Sequence, residues 1–592
     1  MKRKVILVIV AVIAIGFVAV LGKKFLDQNR NQIAWWVQAG APDISDVMVT
    51  MPDGVRLATD VYFPGASGPR PTVLMRLPYG KRYYGEVRFW VGELTRRGFV
   101  VVAQDMRGRH GSEGIFAPYP NAGPDGVATL DWIINQPWSN GRVGTLGCSA
   151  LGESQLMLAV QGHPALHAIV PIAAGGAVGS VDGKNAFFSA FEGGVFNLAL
   201  SVGWFGAEGG KSAPVSSHRP IDPSPVLERL PVEGLVAKLR PDNTDYEAFL
   251  QNFENPQYWR DAGYITGDEN FAVPALFIDT WHDPGIDSSL TLAKTLQASG
   301  ASVKTIIGAG THCNYLGTDD VTVVGDLTVS PDRHIGYVDL ISQFLAWHLA
   351  DGPAVDLPAY TYFTLVENKW READSWPPAH AIQRQLFLSA NQALVWEKSG
   401  ISDFVHAFLS DPDNPVPSIG GPLCCTGNPE DREGPVFQNS IESRNDLLLF
   451  SSAPLENPVT IAGPIQAKLR ISVSTPDSDL ILRLTDVDTR GNSLLVQEGA
   501  LRLRYRDSFQ TPELLVPGEV YEVTVDMRQI AYKFDVGHQI RLHLAGSSFP
   551  RLSRNTNTGG PIYSETGFRV AEISVRSDSN APSALILQIL PD

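Results

Sequence analysis

The chain is short of several features that would have directed it elsewhere. It has only four cysteines in 592 residues, too few for a disulfide scaffold, and their spacing fits no zinc site. Beyond its first residues it has no sustained Lys/Arg block, and its net charge is −16. It therefore lacks the concentrated basic face that phosphate binding requires, and no nucleic-acid partner is expected. The acidity reads as solubility alone. There is no tandem repeat and no low-complexity tract. Charged residues make up 19% of the chain against 44% hydrophobic, which excludes a disordered polypeptide. The length predicts two or three domains with large cores.

The one long apolar run lies at the N-terminus. Met1-Lys-Arg-Lys4 precedes an unbroken apolar stretch over residues 5–21, and Gly22-Lys23-Lys24 follows. A basic end followed by an apolar segment has the form of an export signal. Residues 1–24 are expected to be an uncleaved signal-anchor or a cleaved signal peptide. Either would place the remainder outside the cytoplasm, on a periplasmic or extracellular face, because the basic end stays inside.

The following residues alternate between strand and helix patterns. Val55 to Phe63 forms a strand pair with Asp46 to Met51 around an Asp53-Gly54 turn. Pro71 to Arg76 and Phe99 to Gln104 are short, Val-rich runs of buried-strand character. Helical spacing occupies Val87 to Arg97 and Leu130 to Gln136. This alternation predicts a mostly parallel sheet covered on both faces, over residues 40–174 and again over 269–352. Between them, residues 175–268 are rich in Gly, Phe, Trp and Pro without a clear strand, and are expected to form a helical cap over the site. Residues 355–592 show many short alternating segments separated by Gly/Pro/Asn turns, the pattern of a β-sandwich.

Chemistry enters at Val143-Gly-Thr-Leu-Gly-Cys-Ser149-Ala-Leu-Gly152. An apolar strand, a tight glycine turn and a helix pattern make a nucleophile elbow. Such a turn strains the serine backbone, so its neighbours must be small. A serine hydroxyl needs an imidazole to remove its proton and a carboxylate to hold that imidazole. Both follow at the ends of later strands, in the order this fold uses. Asp283 stands in Asp279-Thr-Trp-His-Asp283-Pro-Gly, and His312 in Gly308-Ala-Gly-Thr-His312-Cys-Asn-Tyr. Asp279 is expected to face the sheet and Asp287 to belong to the next helix. His282 is expected to be a pocket wall or a surface residue, and His110 an ordinary loop residue. The Ala150 N–H is one oxyanion donor. The second falls in the loop Leu77-Pro-Tyr79-Gly-Lys-Arg, where spacing does not choose between a backbone N–H and the Tyr79 hydroxyl. Cys148 and Cys313 flank two of these residues and Cys424 and Cys425 are vicinal. Bridges and small buried thiols both remain open for them.

Several further segments carry a family resemblance. They are Met51-Pro-Asp-Gly-Val-Arg-Leu57, Asp105-Met-Arg-Gly-Arg-His-Gly-Ser-Glu-Gly114, Gln136-Pro-Trp-Ser-Asn-Gly-Arg-Val-Gly144, Trp370-Arg-Glu-Ala-Asp-Ser-Trp-Pro-Pro378 and Phe549-Pro-Arg-Leu-Ser-Arg-Asn-Thr-Asn-Thr-Gly559. Together with Pro78-Tyr79, Trp281-His-Asp283 and Gly310-Thr-His312, they make the chain resemble the cocaine esterase and X-Pro dipeptidyl-peptidase group of α/β-hydrolases, which includes the α-amino acid ester hydrolases. The resemblance implies an α/β-hydrolase core with a helical cap and a C-terminal, galactose-binding-like jelly roll. It implies Ser149, Asp283 and His312 as a triad, with the Tyr79 hydroxyl joining the Ala150 N–H in the oxyanion hole. The group usually has tyrosine where this chain has Ala150. A small ester, amide or short peptide is the expected substrate, hydrolysed through an acyl-enzyme without a metal or other cofactor. An exopeptidase would need a cap carboxylate for the substrate ammonium, with Glu192, Glu208, Glu228 and Asp261 as candidates. With an unshifted histidine, activity is expected to fall in acid near pH 6.5.

Overall fold

The computed structural model describes residues 43–65, 67–181, 184–211, 221–240, 242–269, 271–316 and 323–591. Residues 1–24 lie outside this set. Among the described residues no helix is long and apolar enough to cross a membrane. That finding runs against the expected membrane anchoring and the exported location built on it, and this expectation is withdrawn.

The first unit is built on a twisted sheet. Its strands are β1 (Asp43–Thr50), β2 (Arg56–Phe63), β3 (Arg70–Leu77), β4 (Val100–Asp105), β5 (Ser139–Cys148), β6 (Leu166–Ile172), β7 (Ala275–Thr280), β8 (Val303–Gly308), β9 (Tyr360–Thr364) and β10 (Lys369–Ala373). Their spatial order is β1-β2-β4-β3-β5-β6-β7-β8-β9-β10. β1 and β2 form the expected antiparallel pair, and Gly54 at φ +87° takes the left-handed position of its turn. From β4 to β9 every neighbouring pair is parallel. Strands covered on both faces run largely apolar, and β4 and β7, buried at every residue, are apolar up to their last two positions, Gln104-Asp105 and Asp279-Thr280. Helices α1 (Gly85–Arg96), α2 (Ala122–Ile134) and α3 (Ala150–Ala159) connect the early strands. α2 starts eight residues before the expected Leu130. Gly123, Pro124 and Gly126 in its first turns mask the helix in the sequence, although proline is well tolerated there.

Between β6 and β7 stands the insertion expected as a cap. It contains α4 (Leu198–Glu208), α5 (Ser224–Leu227), α6 (Tyr246–Gln251) and α7 (Pro256–Asp261), and also two short hairpins at 180–185 and 191–196 that the sequence did not reveal. Aromatic rings hold it together: Phe187 stacks on Trp259 at 4.1 Å, and Phe188 meets Trp204 edge-on at 4.7 Å. Helices α8 (Ile286–Ala298) and α9 (Tyr337–Leu349) then complete the core.

The C-terminal unit is β-rich, its strands from Ile382 to Ile589 pairing into one network. Tyr360–Thr364 and Lys369–Ala373 lie inside the 355–592 range expected for the sandwich, yet they extend the first sheet as β9 and β10.

Candidate active site

β5 ends at Cys148 and α3 begins at Ala150, leaving Ser149 alone in the turn with φ 59° and ψ −129°. This backbone is costly for a residue with a Cβ and persists only where its surroundings over-determine it. The surroundings are tight. A Cβ on Gly147 would lie 2.4 Å from the Leu151 side chain, and one on Gly152 would lie 2.9 Å from the Ile172 carbonyl oxygen. The Ser149 N–H donates to that same Ile172 carbonyl at 2.9 Å. As the first residue of α3, Ala150 has an N–H that its own helix cannot satisfy.

Asp283 and His312 follow β7 and β8 and meet. The His312 Nδ1–H donates to Asp283 Oδ2 at 2.6 Å, and the Gly285 N–H donates to the other carboxylate oxygen at 2.6 Å. Burial works against charge on the His312 ring, but the charge of Asp283, with Cys425 beside it, outweighs this and raises its pKa to about 10. Ser149, Asp283 and His312 line one cavity of about 30 Å³ with Phe188, Leu200 and Trp204. Beyond Ser189 and Pro284, which the two spaces share, opens a cavity of about 450 Å³ between the cap, α8 and the C-terminal unit.

The alternatives weighed in the sequence take other places. Asp279 is buried beside Asp283, and burial and that second carboxylate push its pKa well up. His282 is neither pocket wall nor surface. It is 1% exposed, its Nε2–H faces the Val496 carbonyl at 3.2 Å, and burial lowers its pKa to about 4. Its neighbours are held from the same side: Gln497 donates to the Trp281 carbonyl at 2.8 Å and Arg528 to the Pro284 carbonyl at 2.6 Å. The loop bearing Asp283 is thus clamped by strands more than 200 residues away, a role no local pattern encodes.

Tyr79 is buried, and the Trp204 indole N–H of α4, a residue of the cavity lining, donates to its hydroxyl at 3.2 Å. Arg109 fixes the same loop, donating to the Pro78 carbonyl at 2.9 Å and to Glu208 of α4 at 2.7 Å. Lys81 N–H donates to Asp105 at 2.7 Å. The Arg-Gly-Arg-His segment, ordinary in the sequence, therefore ties the Tyr79 loop to the cap.

The sequence also missed a carboxyl group in the cavity. Glu153 sits one turn into α3 on the cavity wall, and burial raises its pKa to about 7 against the lowering effect of the Tyr119 hydroxyl beside it. The cysteines resolve into two pairs. Cys148 and Cys313 form a disulfide that joins the residue before Ser149 to the residue after His312. Cys424 and Cys425 are free, their sulfurs 2.7 Å apart on the cavity wall. With His312 they offer three donor atoms that all lie within 4.8 Å of one another.

A parallel sheet with a serine elbow after β5, and an Asp–His pair from the ends of β7 and β8 on the same cavity, defines an α/β-hydrolase of the serine type. Residues 53–314 match the family described as X-Pro dipeptidyl-peptidase (S15 family), and residues 353–586 match the X-Pro dipeptidyl-peptidase C-terminal non-catalytic domain. Cocaine esterase of Rhodococcus sp. (strain MB1 Bresler) is 31% identical over 551 residues, covering 88% of this chain and 93% of its own. An aminopeptidase crystal structure from a marine sediment Thaumarchaeota archaeon superposes with a TM-score of 0.81 at 25% identity, over 93% of this chain and 97% of that one. An α-amino acid ester hydrolase shares the fold, with a TM-score of 0.78 at 24% identity over 92% and 96% of the two chains. The chain belongs to the cocaine esterase and X-Pro dipeptidyl-peptidase family and is a serine hydrolase of the esterase–peptidase type.

The disulfide closes a loop with a sequence separation of 165 residues, and long closures constrain the unfolded chain most. Replacing Cys148 and Cys313 together by serine should lower stability by about 2–5 kcal/mol, read as a shift of the urea midpoint between the variant and wild type.

Proposed function

We propose that the chain hydrolyses carboxylic esters through an acyl-enzyme on Ser149. The observation that carries this reading is the 2.6 Å Asp283–His312 hydrogen bond in a cavity that Ser149 also lines. Ser149 Oγ attacks the carbonyl while His312 Nε2 takes its proton and later returns it to the leaving alkoxide. Water then attacks the acyl-enzyme by the same relay in reverse. Asp283 holds the imidazole by Nδ1 and balances its charge once protonated. The Ala150 N–H and the Tyr79 hydroxyl receive the oxyanion, and the Trp204 N–H bound to the Tyr79 oxygen aligns that hydroxyl. The reacting carbonyl sits in the small cavity, and the 450 Å³ space beside it accommodates the bulk of the substrate.

A dipeptidyl-peptidase reading finds little support in the expected cap acids. Glu208 is paired with Arg109, and Glu192 with both Arg528 and Arg551. Glu228 and Asp261 are exposed and do not line the reaction cavity. One observation favours a second reading: Glu153, a buried carboxyl lining the cavity beside Tyr119, would receive the ammonium of an α-amino acyl substrate. Comparing p-nitrophenyl acetate, an α-amino acyl ester and a Gly-Pro anilide separates these readings. Hydrolysis of the anilide alone would reject the esterase.

Labelling by a fluorophosphonate should be complete in wild type and absent in Ser149→Ala; an unlabelled wild type would sink the mechanism. Tyr79→Phe should lower kcat by about 10²–10³-fold with little change in KM, since one oxyanion donor is lost. The base must be neutral to act, so kcat/KM should rise with pH. Because Asp283 holds the His312 pKa far above its ordinary 6.5, the acid limb should lie on the alkaline side of that value. A pH–rate profile with its limb at or below 6.5 would contradict the tight pair.

A further inference from the structure

The wall of the reaction cavity carries a donor set that hydrolysis does not use. Cys424 is buried and Cys425 exposed, their sulfurs touch, and both stand beside His312. His312 Nδ1 is occupied by Asp283, so the ring presents Nε2 to the thiols. Two thiolates and an imidazole make a soft set suited to a d¹⁰ divalent cation. A histidine backed by a carboxylate is the usual form of such a ligand. Donors around one zinc ion lie roughly 3.4–3.8 Å apart at bond lengths of about 2.0–2.3 Å. The three atoms here lie within 4.8 Å of one another, and side-chain rotation alone can open the sulfur pair. Cys425 gives the ion a path from solvent. The other two cysteines are already bonded to each other and offer no competing site.

We propose that His312 Nε2, Cys424 Sγ and Cys425 Sγ form a binding site for a thiophilic divalent cation, Zn²⁺ or Cd²⁺, and that its occupation and ester turnover exclude each other. The exclusion rests on the reading of His312 as the base, because the lone pair that takes the serine proton is the one that would ligate the metal. Binding releases the two thiol protons, and the Nε2 proton wherever the ring is protonated, to the buffer; once EDTA has taken the cation, the thiols and the imidazole take protons back from the buffer.

The test uses the full chain without substrate, so its outcome is independent of the hydrolytic reading. After thiols are counted in the denatured protein, Cd²⁺ is titrated in and thiolate-to-cadmium charge-transfer absorption is followed. One Cd²⁺ per chain is expected, with the band lost in Cys424→Ala and Cys425→Ser and binding weakened at least tenfold in His312→Gln. Wild type alkylated at the exposed Cys425 with iodoacetamide should lose the band too, which covers any variant that fails to fold. Zn²⁺ should then inhibit ester hydrolysis competitively and reversibly, and the Cys425→Ser variant should need at least tenfold more. The proposal is overturned if wild type shows no band, or if the band survives in the variants. Zinc inhibition that ignores both substitutions would also overturn it, as would a thiol count of zero, which would mean that the pair is a vicinal disulfide.

Discussion

A buried carboxylate hydrogen-bonded to a buried imidazole is the constraint around which the molecule is arranged. Asp283 is 1% exposed, and a charge so far from water is tolerable only with its lone pairs satisfied and a cation or donor within reach. The Gly285 N–H takes one oxygen and His312 the other. Asp279, a second carboxyl close by, has its pKa pushed up by burial and by the Asp283 charge, which disfavours a second negative charge in that corner. Such a pair holds its geometry only if both loops are immobile. Thr280 Oγ1 donates to the Thr311 carbonyl at 3.1 Å, joining them directly. The Cys148–Cys313 bond joins the His312 loop to the elbow.

The C-terminal unit is therefore part of the site's framework and not an appendage. Gln497 and Arg528 donate to carbonyls on either side of Asp283, and the Val496 carbonyl receives His282. Arg528 is itself fixed by Glu192, which also binds Arg551, and Arg551 pairs with Glu498. This chain of buried ions runs from the cap through the sandwich to the acid loop. Breaking one partner would leave a largely buried charge uncompensated. On the opposite wall, α4 sends Trp204 and Glu208 to Tyr79 and Arg109. The cap thus shapes the pocket and also orients a group expected to meet the oxyanion.

What the sequence displayed were features governed by local sterics or chain order. The elbow was visible because only glycine fits at positions 147 and 152. Asp283 and His312 stood out because successive strands of a parallel sheet end on the same side, so their following loops must converge. The bracing groups were hidden for the opposite reason. Arg528, Gln497 and Trp204 have no local signature, and their role exists only once segments hundreds of residues apart have packed. The same applies to β9 and β10, whose alternating residues look like any strand pair. Their membership of the first sheet depends on an edge offered by β8, not on their own pattern. Glu153 was hidden by its helix, where a glutamate is usually solvated. The disulfide pairing was hidden because spacing alone does not place two loops side by side.

The strength of the Asp283–His312 pair has a consequence for how the site works. An imidazole whose pKa is raised by a buried carboxylate holds a proton more readily than a free one, which is the wrong tendency with which to begin attack. Yet under the proposed mechanism it is the right one for the tetrahedral intermediate, when the serine proton has just arrived and the oxyanion would face Ala150 and Tyr79. The pair is thus matched to the charge distribution of the transition state at the expense of the resting enzyme, which is how differential binding raises a rate.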